Sequence, residues 1–374
     1  MASNFGSTIR VALFGQSHSA AVGVVVEGLP VGFSVDQARL DAFMQRRAPG
    51  HSAWATPRKE ADKLRIVSGL NPAGQTCGAP LCGLIENTNT RSQDYETLKR
   101  IPRPGHADFT AQMKWHGYQD VAGGGHFSGR LTAGLCIAGG IALQLLDERY
   151  GIHVAAHIQE IMGIADTPFE AYNTSAEKTE LLTQQMELLA QLPATQLPVL
   201  NKDADQAMRQ AIAQVKEEQD SVGGIIECVT TGIPAGIGGP LFDGIESALA
   251  RAVFGIGAVK GIEFGRGFAA ARMHGSEHND AYTIHDGKPC CVSNNAGGNL
   301  GGITTGAPLL FRIAVKPTSS IARPQHSVDM SCNELANLEI VGRHDPCIVP
   351  RAVPVLEATT ALVVLDQLLS FPVA

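Results

Sequence analysis

The sequence has no excess of basic residues: 29 lysines and arginines stand against 36 aspartates and glutamates, a formal net charge of −7. Nucleic-acid-binding domains normally carry a basic excess, so that class of protein is disfavoured. No C-x-x-C pair occurs among the eight cysteines, and a core-forming chain of 374 residues does not need disulfides. We therefore expect reduced thiols and no nucleic-acid partner.

Long apolar runs and a secretory signal are also missing. The first fifteen residues lack a basic region followed by an apolar stretch. The longest apolar stretch, residues 133–146, is too short to span a bilayer. We therefore predict a soluble, cytoplasmic protein with no membrane partner. An anionic small molecule stays compatible with the negative charge, because binding it requires only a local cluster of arginines.

Strands and helices are mixed along a chain with 41 glycines. Short apolar runs between glycines and prolines predict strands at 9–14, 22–27, 64–67 and 81–86. Apolar patterns predict helices at 35–47, 130–149 and 353–369. Ser34 is the predicted cap of the first helix, and Gly151 is the predicted stop of the second. With no low-complexity linker and no repeat, these elements predict a single-domain α+β protein over residues 1–374.

Residues 165–222 differ from the rest in being rich in glutamine, glutamate and alanine. Two helices are predicted there, at about 175–191 and 203–219. In the second, Met208, Ile212 and Val215 recur at helical spacing. The segment offers no ligand chemistry, and a surface or interface helix pair is the resulting prediction.

Three polar segments in the first half of the chain carry candidate site residues. GQSHSAAVG places Ser17 and His18 in a turn between strands, and RPGHADF places Arg103, His106 and Asp108 at a Pro-Gly turn. An aspartate two residues beyond a histidine can orient the imidazole. VAGGGHFSGRLTAG sets three glycines before a helix, where free N–H groups can bind an anion. A capped surface turn and a tight turn into a packed helix are the structural alternatives.

Two further segments stand out in the second half. NNAGGNLGGITTG lets backbone approach a ligand, and the following KPTSSI offers a lysine and three hydroxyls, the donors that a phosphate requires. GRHDPCIVPRAVP sets Arg343, His344 and Asp345 side by side. A glycine hairpin and a local ion pair are the alternatives. His274 and His278 have the spacing of metal ligands, but the residues between them predict a loop without a third ligand, so we predict no metal site.

Nine strings occur in order between residues 10 and 369: GQSH, RRAPG, ENTNTRSQDY, RPGHADF, GIGGPLFDGIE, AVKGIEFGRGF, NNAGGNLGGITTG, KPTSSI, and RHDPC with PRAVPVLEA. In amino-acid sequence and in order, these strings resemble those of the chorismate synthase family, and the resemblance weakens only in the variable helical segment 165–222. It implies a β-α-β sandwich, with helices packed between sheets, and a cytoplasmic homotetramer.

The resemblance also implies a reaction and the residues that perform it. In that family, 5-enolpyruvylshikimate 3-phosphate loses phosphate and its C6 proton beside reduced FMN and becomes chorismate, with no net redox change. His18 is implied as the acid at the departing phosphate and Ser17 as part of a proton relay. His106 is implied to protonate or stabilise the flavin, and Asp345 to accept the C6 proton together with flavin N5. The implied ligands of the anionic substrate or FMN are Arg47, Arg103, Arg130 and Arg343. The implied flavin contacts are His126, Phe127, Ser128, Gly257, Ala258, Gly301, Lys316, Pro317, Thr318, Ser319, Ser320 and Arg343.

Three departures from the family pattern accompany the resemblance. HFSGRLT stands where the family has RSSARET, so that His126, Phe127 and Leu131 replace an arginine, a serine and a glutamate. Ala48 replaces the third arginine of an RRR run, and Ala53 replaces a further arginine near the family's proposed NADPH contacts. NADPH is a candidate reductant for the flavin. Because no nicotinamide-binding domain is recognisable, an external flavin reductase is favoured.

Two other functions stay open from the sequence. A different flavin or nucleotide enzyme on the same scaffold would keep the glycine and KPTSS segments but lose the acid–base residues, and the presence of His18, His106 and Asp345 disfavours it. A non-catalytic, anion-binding paralogue is the other, and the altered HFSGRLT loop favours it. Release of phosphate and chorismate in an anaerobic assay distinguishes the synthase from both.

Overall fold

Two five-stranded antiparallel sheets form the outer layers of the computed structural model, which describes residues 3–50, 62–87, 97–340 and 344–372. From edge to edge, the first sheet contains β1 (Asn4–Phe5), β2 (Arg10–Gly15), β3 (Ala21–Glu27), β5 (Leu81–Glu86) and β4 (Leu64–Ser68). The second contains β7 (Ile164–Ala165), β6 (His153–Ile161), β8 (Gly224–Thr231), β14 (Leu309–Val315) and β9 (Val259–Phe264). Three ribbons pair β10 (Tyr282–His285) with β11 (Lys288–Cys291), β12 (Asn299–Leu300) with β13 (Ile303–Thr304), and β15 (Gln325–Asp329) with β16 (Glu334–Leu338).

Eight α-helices accompany the sheets in the described residues. They are α1 (Gln37–Arg47), α2 (Asp108–Trp115), α3 (Thr132–Tyr150), α4 (Ala176–Gln191), α5 (Lys202–Glu217), α6 (Ile245–Val253), α7 (Gly275–His278) and α8 (Val349–Ser370). Helix α3 packs on β3 and β5, α8 packs on β6 and β8, and the two helices pack on each other. The predicted β-α-β sandwich is therefore confirmed.

Close contact between the two central helices depends on small side chains. A Cβ added at Gly139 of α3 would lie 2.4 Å from the Cβ of Ala358 of α8. Leucine, isoleucine and valine from both sheets and both helices then fill one continuous core. Interiors are packed as densely as organic crystals, so even a methyl group added at this contact must displace backbone.

Helix α3 lies close to its predicted bounds of 130–149, but both central helices form apolar spans longer than the stretch 133–146 recognised in the sequence. Spans of 22 residues, Gly129–Tyr150 and Val349–Ser370, are long and apolar enough to cross a membrane, so the predicted limit on length was wrong. The most apolar windows of these spans are 78% and 83% buried inside the protein, as expected for the middle layer of a sandwich. Helix α8 also starts four residues earlier than predicted, because Pro350 fits a first turn whose N–H groups have no acceptor.

The N-terminal cap of α1 lies two residues later than predicted, at Asp36. Asp36, and not Ser34, accepts the hydrogen bond from the Arg39 backbone N–H, at 3.0 Å. Ser34 instead forms a bridge with Gln75. Gly151 does end α3, in the left-handed conformation expected of a C-terminal glycine.

The segment 165–222 contains α4 and α5, close to the predicted bounds. The predicted stripe of Met208, Ile212 and Val215 on α5 is buried in the main core. Helix α4 covers the opposite face of the second sheet, where Leu182 and Leu189 meet a smaller apolar cluster. The pair is therefore packed onto the domain and covers an edge and an outer face of its second sheet.

Candidate active site

Three segments distant in sequence meet at a turn of three glycines, Gly123 to Gly125. All three glycines have positive φ, which residues with a Cβ rarely adopt. The Ser17 N–H donates to the Gly125 carbonyl at 3.0 Å. A Cβ added at Gly123 would lie 2.4 Å from Ser17 Oγ and 2.9 Å from His18 Nε2. The turn thus runs closely past the Ser-His pair because it lacks side chains.

His106 approaches the same turn from the other side. A Cβ added at Gly124 would lie 3.2 Å from His106 Nε2. His106 Nδ1 lies 2.6 Å from Asp108 Oδ1, so the Nδ1–H donates to the carboxylate and Nε2 is left towards the glycine turn. The sequence prediction that Asp108 orients this imidazole agrees with the observed contact.

Arg103 holds Asp108 in a buried, two-pronged ion pair. Its Nε and Nη2 donate to Asp108 Oδ2 and Oδ1 at 2.7 and 2.8 Å. Burial opposes ionisation of Asp108, but the hydrogen bonds from Arg103 and His106 outweigh it and lower the pKa of the carboxyl below its ordinary value. The aspartate is therefore a fixed anion, and the histidine beside it has a fixed orientation.

The KPTSS segment, residues 316–320, joins this group to the RHDPC segment. Ser319 Oγ donates to the Gly105 carbonyl at 2.7 Å, and Arg103 Nη1 donates to Ser320 Oγ at 3.2 Å. Thr318 Oγ1 donates to the Asp345 carbonyl at 3.1 Å. Residues from all five sequence segments are thereby brought together. We call Ser17, His18, His106 and Asp345 the acid–base set.

Lys316 is the cation of the KPTSS segment. Its Nζ donates to Ser319 Oγ at 2.9 Å and to the Pro317 carbonyl at 3.3 Å, and its N–H donates to the Ala258 carbonyl at 2.9 Å. Partial burial and the nearby Lys260 lower the pKa of Lys316. An anion bound at its Nζ would favour the charged form of Lys316 and so oppose the lowering of the pKa.

Two of the predicted anion-binding arginines share one buried carboxylate. Arg47 Nη1 donates to Asp62 at 2.9 Å, and its remaining nitrogens bind Thr132 Oγ1 and the Gly129 carbonyl at 3.2 Å each. Arg130 Nη1 donates to the other Asp62 oxygen. Burial first, and then the charge of Arg351, lowers the pKa of Arg47 to about 10. The group keeps a net positive charge, since two guanidiniums face one carboxylate.

The predicted proton acceptor Asp345 has an arginine partner that the sequence did not single out. Arg351 Nη1 donates to Asp345 Oδ2 at 2.6 Å, and its Nε donates to the Arg47 carbonyl at 3.0 Å. Asp62 was missed as well. Arg351 lies in the PRAVPVLEA string, to which no individual role was assigned, and only the rule that buried guanidiniums need carboxylates could have pointed to Asp62.

Other predicted site residues are engaged elsewhere. His126 uses both ring nitrogens on protein atoms, Ser3 Oγ at 2.7 Å and the Gly15 carbonyl at 2.8 Å. Phe127 is exposed and lies 5.6 Å from the Trp115 ring, and Ser128 caps the turn before α3 by accepting from the Arg130 N–H. Their roles in flavin binding stay predictions.

Gly257, Ala258 and Gly301 were predicted to contact the flavin together. Gly257 and Ala258 follow the C-terminal end of α6, and Ala258 has a positive φ of 74°. Gly301 lies beside Gly302, whose carbonyl accepts the Ile245 N–H at the N-terminal end of the same helix. Nine residues of helix separate the two ends by about 13 Å, so Gly301 adjoins one end of α6 and Gly257 and Ala258 follow the other.

Arg343 lies outside the described residues, as does Ala53. His274 precedes a helical turn, α7, and His278 is its last residue, where a loop was predicted. The turn forms because the Glu277 side chain accepts from the His274 N–H and completes a capping box. Among the described residues, no group of three metal-binding side chains occurs.

Fold and site together define an α+β sandwich enzyme that places acid–base side chains beside buried arginines. The family model for chorismate synthase matches residues 9–369. The chorismate synthase of Lancefieldella parvula is 50% identical to this chain over 372 residues, which cover 100% of this chain and 97% of the relative. That of Methanosarcina acetivorans is 44% identical over 372 residues, which cover 99% of this chain and 97% of the relative. A crystal structure of chorismate synthase matches with a TM-score of 0.74 at 26% identity, covering 98% of this chain and 93% of that one. The chain belongs to the chorismate synthase family.

Membership fixes the overall reaction. Enzymes of this family are soluble lyases that eliminate phosphate from 5-enolpyruvylshikimate 3-phosphate and form chorismate, the last common step of the shikimate pathway, and this chain does the same. The reaction depends on reduced flavin. The α+β, β-α-β architecture and the small-molecule substrate predicted from the sequence agree with this assignment. The single domain over residues 1–374 stays a prediction.

Proposed function

We propose that the elimination takes place where the acid–base set meets the triple-glycine turn. The supporting observation is the convergence itself: Gly123 and Gly124 run against Ser17, His18 and His106. Hydrogen bonds through Arg103 and the KPTSS segment then lead on to Asp345. These side chains come from segments that are distant in sequence, and they lie close together only in the folded chain.

His18 and Ser17 act at the departing phosphate. His18 Nε2 and Ser17 Oγ lie on the same side of Gly123, within reach of one bound group. The histidine donates a proton to the ester oxygen, and the serine hydroxyl passes or stabilises that proton. His106, held at Nδ1 by Asp108, donates or accepts at Nε2 on the flavin side. Asp345 receives the C6 proton.

The anionic substrate carries two carboxylates and a phosphate, and guanidiniums suit all three groups. Arg47 and Arg130 form a positively charged wall through Asp62, and Arg103 supplies a second cation beside His106. Because most of their N–H groups are already bonded to the protein, these arginines act largely through charge. Arg343 is proposed as a direct ligand.

The residues beside the acid–base set fit a flavin. The glycine turn presents bare backbone where a Cβ at Gly124 would crowd His106, and Lys316 and its three neighbouring hydroxyls offer donors for a phosphate. When bound, reduced FMN lends electron density as the phosphate departs and regains it as the proton leaves. Gly257, Ala258, Gly301 and Thr318 are proposed flavin contacts.

An anaerobic assay with enolpyruvylshikimate phosphate and chemically reduced FMN tests the proposal through phosphate and chorismate release. Asp345→Asn should abolish turnover while FMN binding, followed by flavin fluorescence, stays close to that of the wild type. Asp205→Asn is the matched control, because Asp205 pairs with Arg209 on α5, in the 165–222 segment that contributes no proposed site residue. Near-normal turnover of Asp345→Asn would remove the assigned base.

The source of reducing equivalents, the assembly and the compartment are also proposals. The replacement of an arginine by Ala53 supports dependence on an external flavin reductase and not on the chain's own use of NADPH. Pure protein mixed aerobically with NADPH and oxidised FMN should therefore leave the flavin oxidised, and bleaching of the flavin would contradict this. A cytoplasmic homotetramer is proposed on the family resemblance, and sedimentation of the purified protein measures its size.

A further inference from the structure

Arg351 occupies an electrostatically unfavourable position. It lies in the first turn of α8, which begins at Val349. The N-terminal end of a helix carries partial positive charge, so a cation there is destabilising unless other groups compensate. The compensating groups are known: the Asp345 carboxylate at 2.6 Å and the Arg47 carbonyl at 3.0 Å. The arginine is thus held by the proposed proton acceptor and by the end of α1.

Asp345 is held from two directions. Its backbone carbonyl accepts from Thr318 Oγ1 at 3.1 Å, which fixes the chain against the KPTSS segment. Its Oδ2 accepts from Arg351 Nη1, which fixes the carboxylate relative to α8. The Asp345 side chain is 11% exposed and that of Arg351 is 22% exposed, so the pair lies mostly out of water. Because Oδ2 is held by a hydrogen bond, the orientation of the carboxylate, and with it the position of Oδ1, is fixed.

Arg351 also connects two predicted parts of the site. Arg47 belongs to the Arg47–Asp62–Arg130 group, and the Arg351 Nε–H donates to the Arg47 carbonyl at the end of α1. The charge of Arg351 is also felt at the Arg47 guanidinium, where it is the largest cause of a lowered pKa after burial. One side chain therefore sets the spacing between the positive wall and the proton acceptor.

We infer that Arg351 is a positioning residue of the elimination: it binds Asp345 Oδ2 so that Oδ1 meets the C6 proton at the right distance. The inference rests on the proposed role of Asp345. Arg351 does not itself donate or accept the transferred proton. Its contribution is geometric, and misplacement of a reacting group by about 1 Å can lower a rate on the order of 10²-fold.

The test compares Arg351→Gln with the wild type under anaerobic conditions with reduced FMN. We expect kcat to fall on the order of 10²-fold, with KM changed far less. With substrate deuterated at C6, the isotope effect on turnover should increase, because proton removal becomes more rate-limiting. A crystal structure of the variant should show the Asp345 carboxylate rotated away from its present direction. Arg351→Lys, which keeps the charge but cannot make both contacts, should recover part of kcat.

Arg46→Gln is the matched control. Arg46 forms a two-pronged pair with Glu357 of the same helix α8, at 2.6 and 2.9 Å, and joins α1 to α8 as Arg351 does. Its loss should lower thermal stability without increasing the isotope effect. Should Arg351→Gln fail to fold, the Arg351→Lys variant carries the same isotope-effect and crystallographic measurements.

The outcomes separate the two claims. Inactive Asp345→Asn together with a normal kcat and isotope effect in Arg351→Gln would overturn the positioning role alone. A fully active Asp345→Asn would overturn the proposed function first. Equal effects of Arg351→Gln and Arg46→Gln on stability and isotope effect would make Arg351 a structural residue only and refute the inference.

Discussion

Two histidine–carboxylate clusters of the described residues, one at the site and one buried in the second sheet, use the same residue types differently. At the site, His106 bonds Asp108 through Nδ1 and leaves Nε2 beside the glycine turn. In the second sheet, His157 bonds Asp166 through Nδ1 at 2.9 Å and Glu227 through Nε2 at 3.2 Å. The His106 side chain is 19% exposed and that of His157 is fully buried. An imidazole can exchange a proton with a ligand only where one nitrogen is left accessible.

The second cluster ties the variable segment to the sheet. Asp166 also accepts from the backbone N–H groups of Leu200 and Asn201, just before α5, and Glu227 accepts from that of Phe169. Each carboxylate is therefore shared between the histidine and a loop. The comparison separates a histidine placed for chemistry from one placed to fix the 165–222 segment on β6 and β8.

The largest loss of stability is expected when the histidine is removed from the cluster of His157, Asp166 and Glu227. His157→Leu leaves two buried carboxylates without their shared cation, and removal of one partner from a buried ion pair costs about 3–5 kcal/mol. Denaturant unfolding should show this loss in the free energy of unfolding. Phosphate release per folded protein should stay near the wild-type rate. Loss of turnover without loss of stability would reverse the assignment of the two clusters.

Removal of the site histidine, His106, should lower turnover and leave stability nearly unchanged. His106→Ala should slow turnover at least about tenfold. A general acid or base typically contributes on the order of 10²–10⁴, so tenfold is the smallest effect compatible with the proposed role. The unfolding midpoint should change little, because Asp108 keeps its two-pronged pair with Arg103. Single-turnover assays measure the first quantity and thermal unfolding the second. An unchanged rate would remove His106 from the mechanism.

The same comparison shows how far the sequence could predict the structure. RPGHADF carries its own turn, histidine and orienting aspartate within a few residues, so the His106–Asp108 contact followed from local spacing. His157, Asp166 and Glu227 are distant in sequence, and only the antiparallel register that pairs His157 with Glu227 brings two of them together. A histidine and a glutamate in the middle of apolar strands were the available signal.

Element types and core faces followed from local patterns, and contacts between segments did not. Helix α3 and its Gly151 stop were predictable from composition and a C-terminal glycine. Asp62 follows a run of charged residues that is typical of a surface, yet it is buried because Arg47 and Arg130 converge on it. Arg351 gained its role only when the start of α8 met Asp345.

A smaller effect is expected at the ring that covers His157. Phe169 lies edge-on to the imidazole at 4.6 Å and is fully buried. Phe169→Leu keeps most of the volume but removes the aromatic pair, worth about 0.5–1.5 kcal/mol beyond the buried area. Thermal unfolding should show a modest decrease and turnover none. A decrease as large as that of His157→Leu would place the stabilisation in packing and not in the ion pairs.

The smallest effect is expected from pH alone. Burial lowers the pKa of His157, but its bonds to Asp166 and Glu227 outweigh burial and raise it above the ordinary value. The charged form therefore stabilises the fold fully below about pH 6.5, the unfolded value, and this stabilisation is lost as the pH rises through the raised pKa. The stability advantage of the wild type over His157→Gln should accordingly shrink on the alkaline side, as measured by denaturant unfolding between pH 6 and 9. An advantage that grows with pH would mean that His157 is neutral in the folded protein, and the second cluster would then be held by hydrogen bonds without an imidazolium.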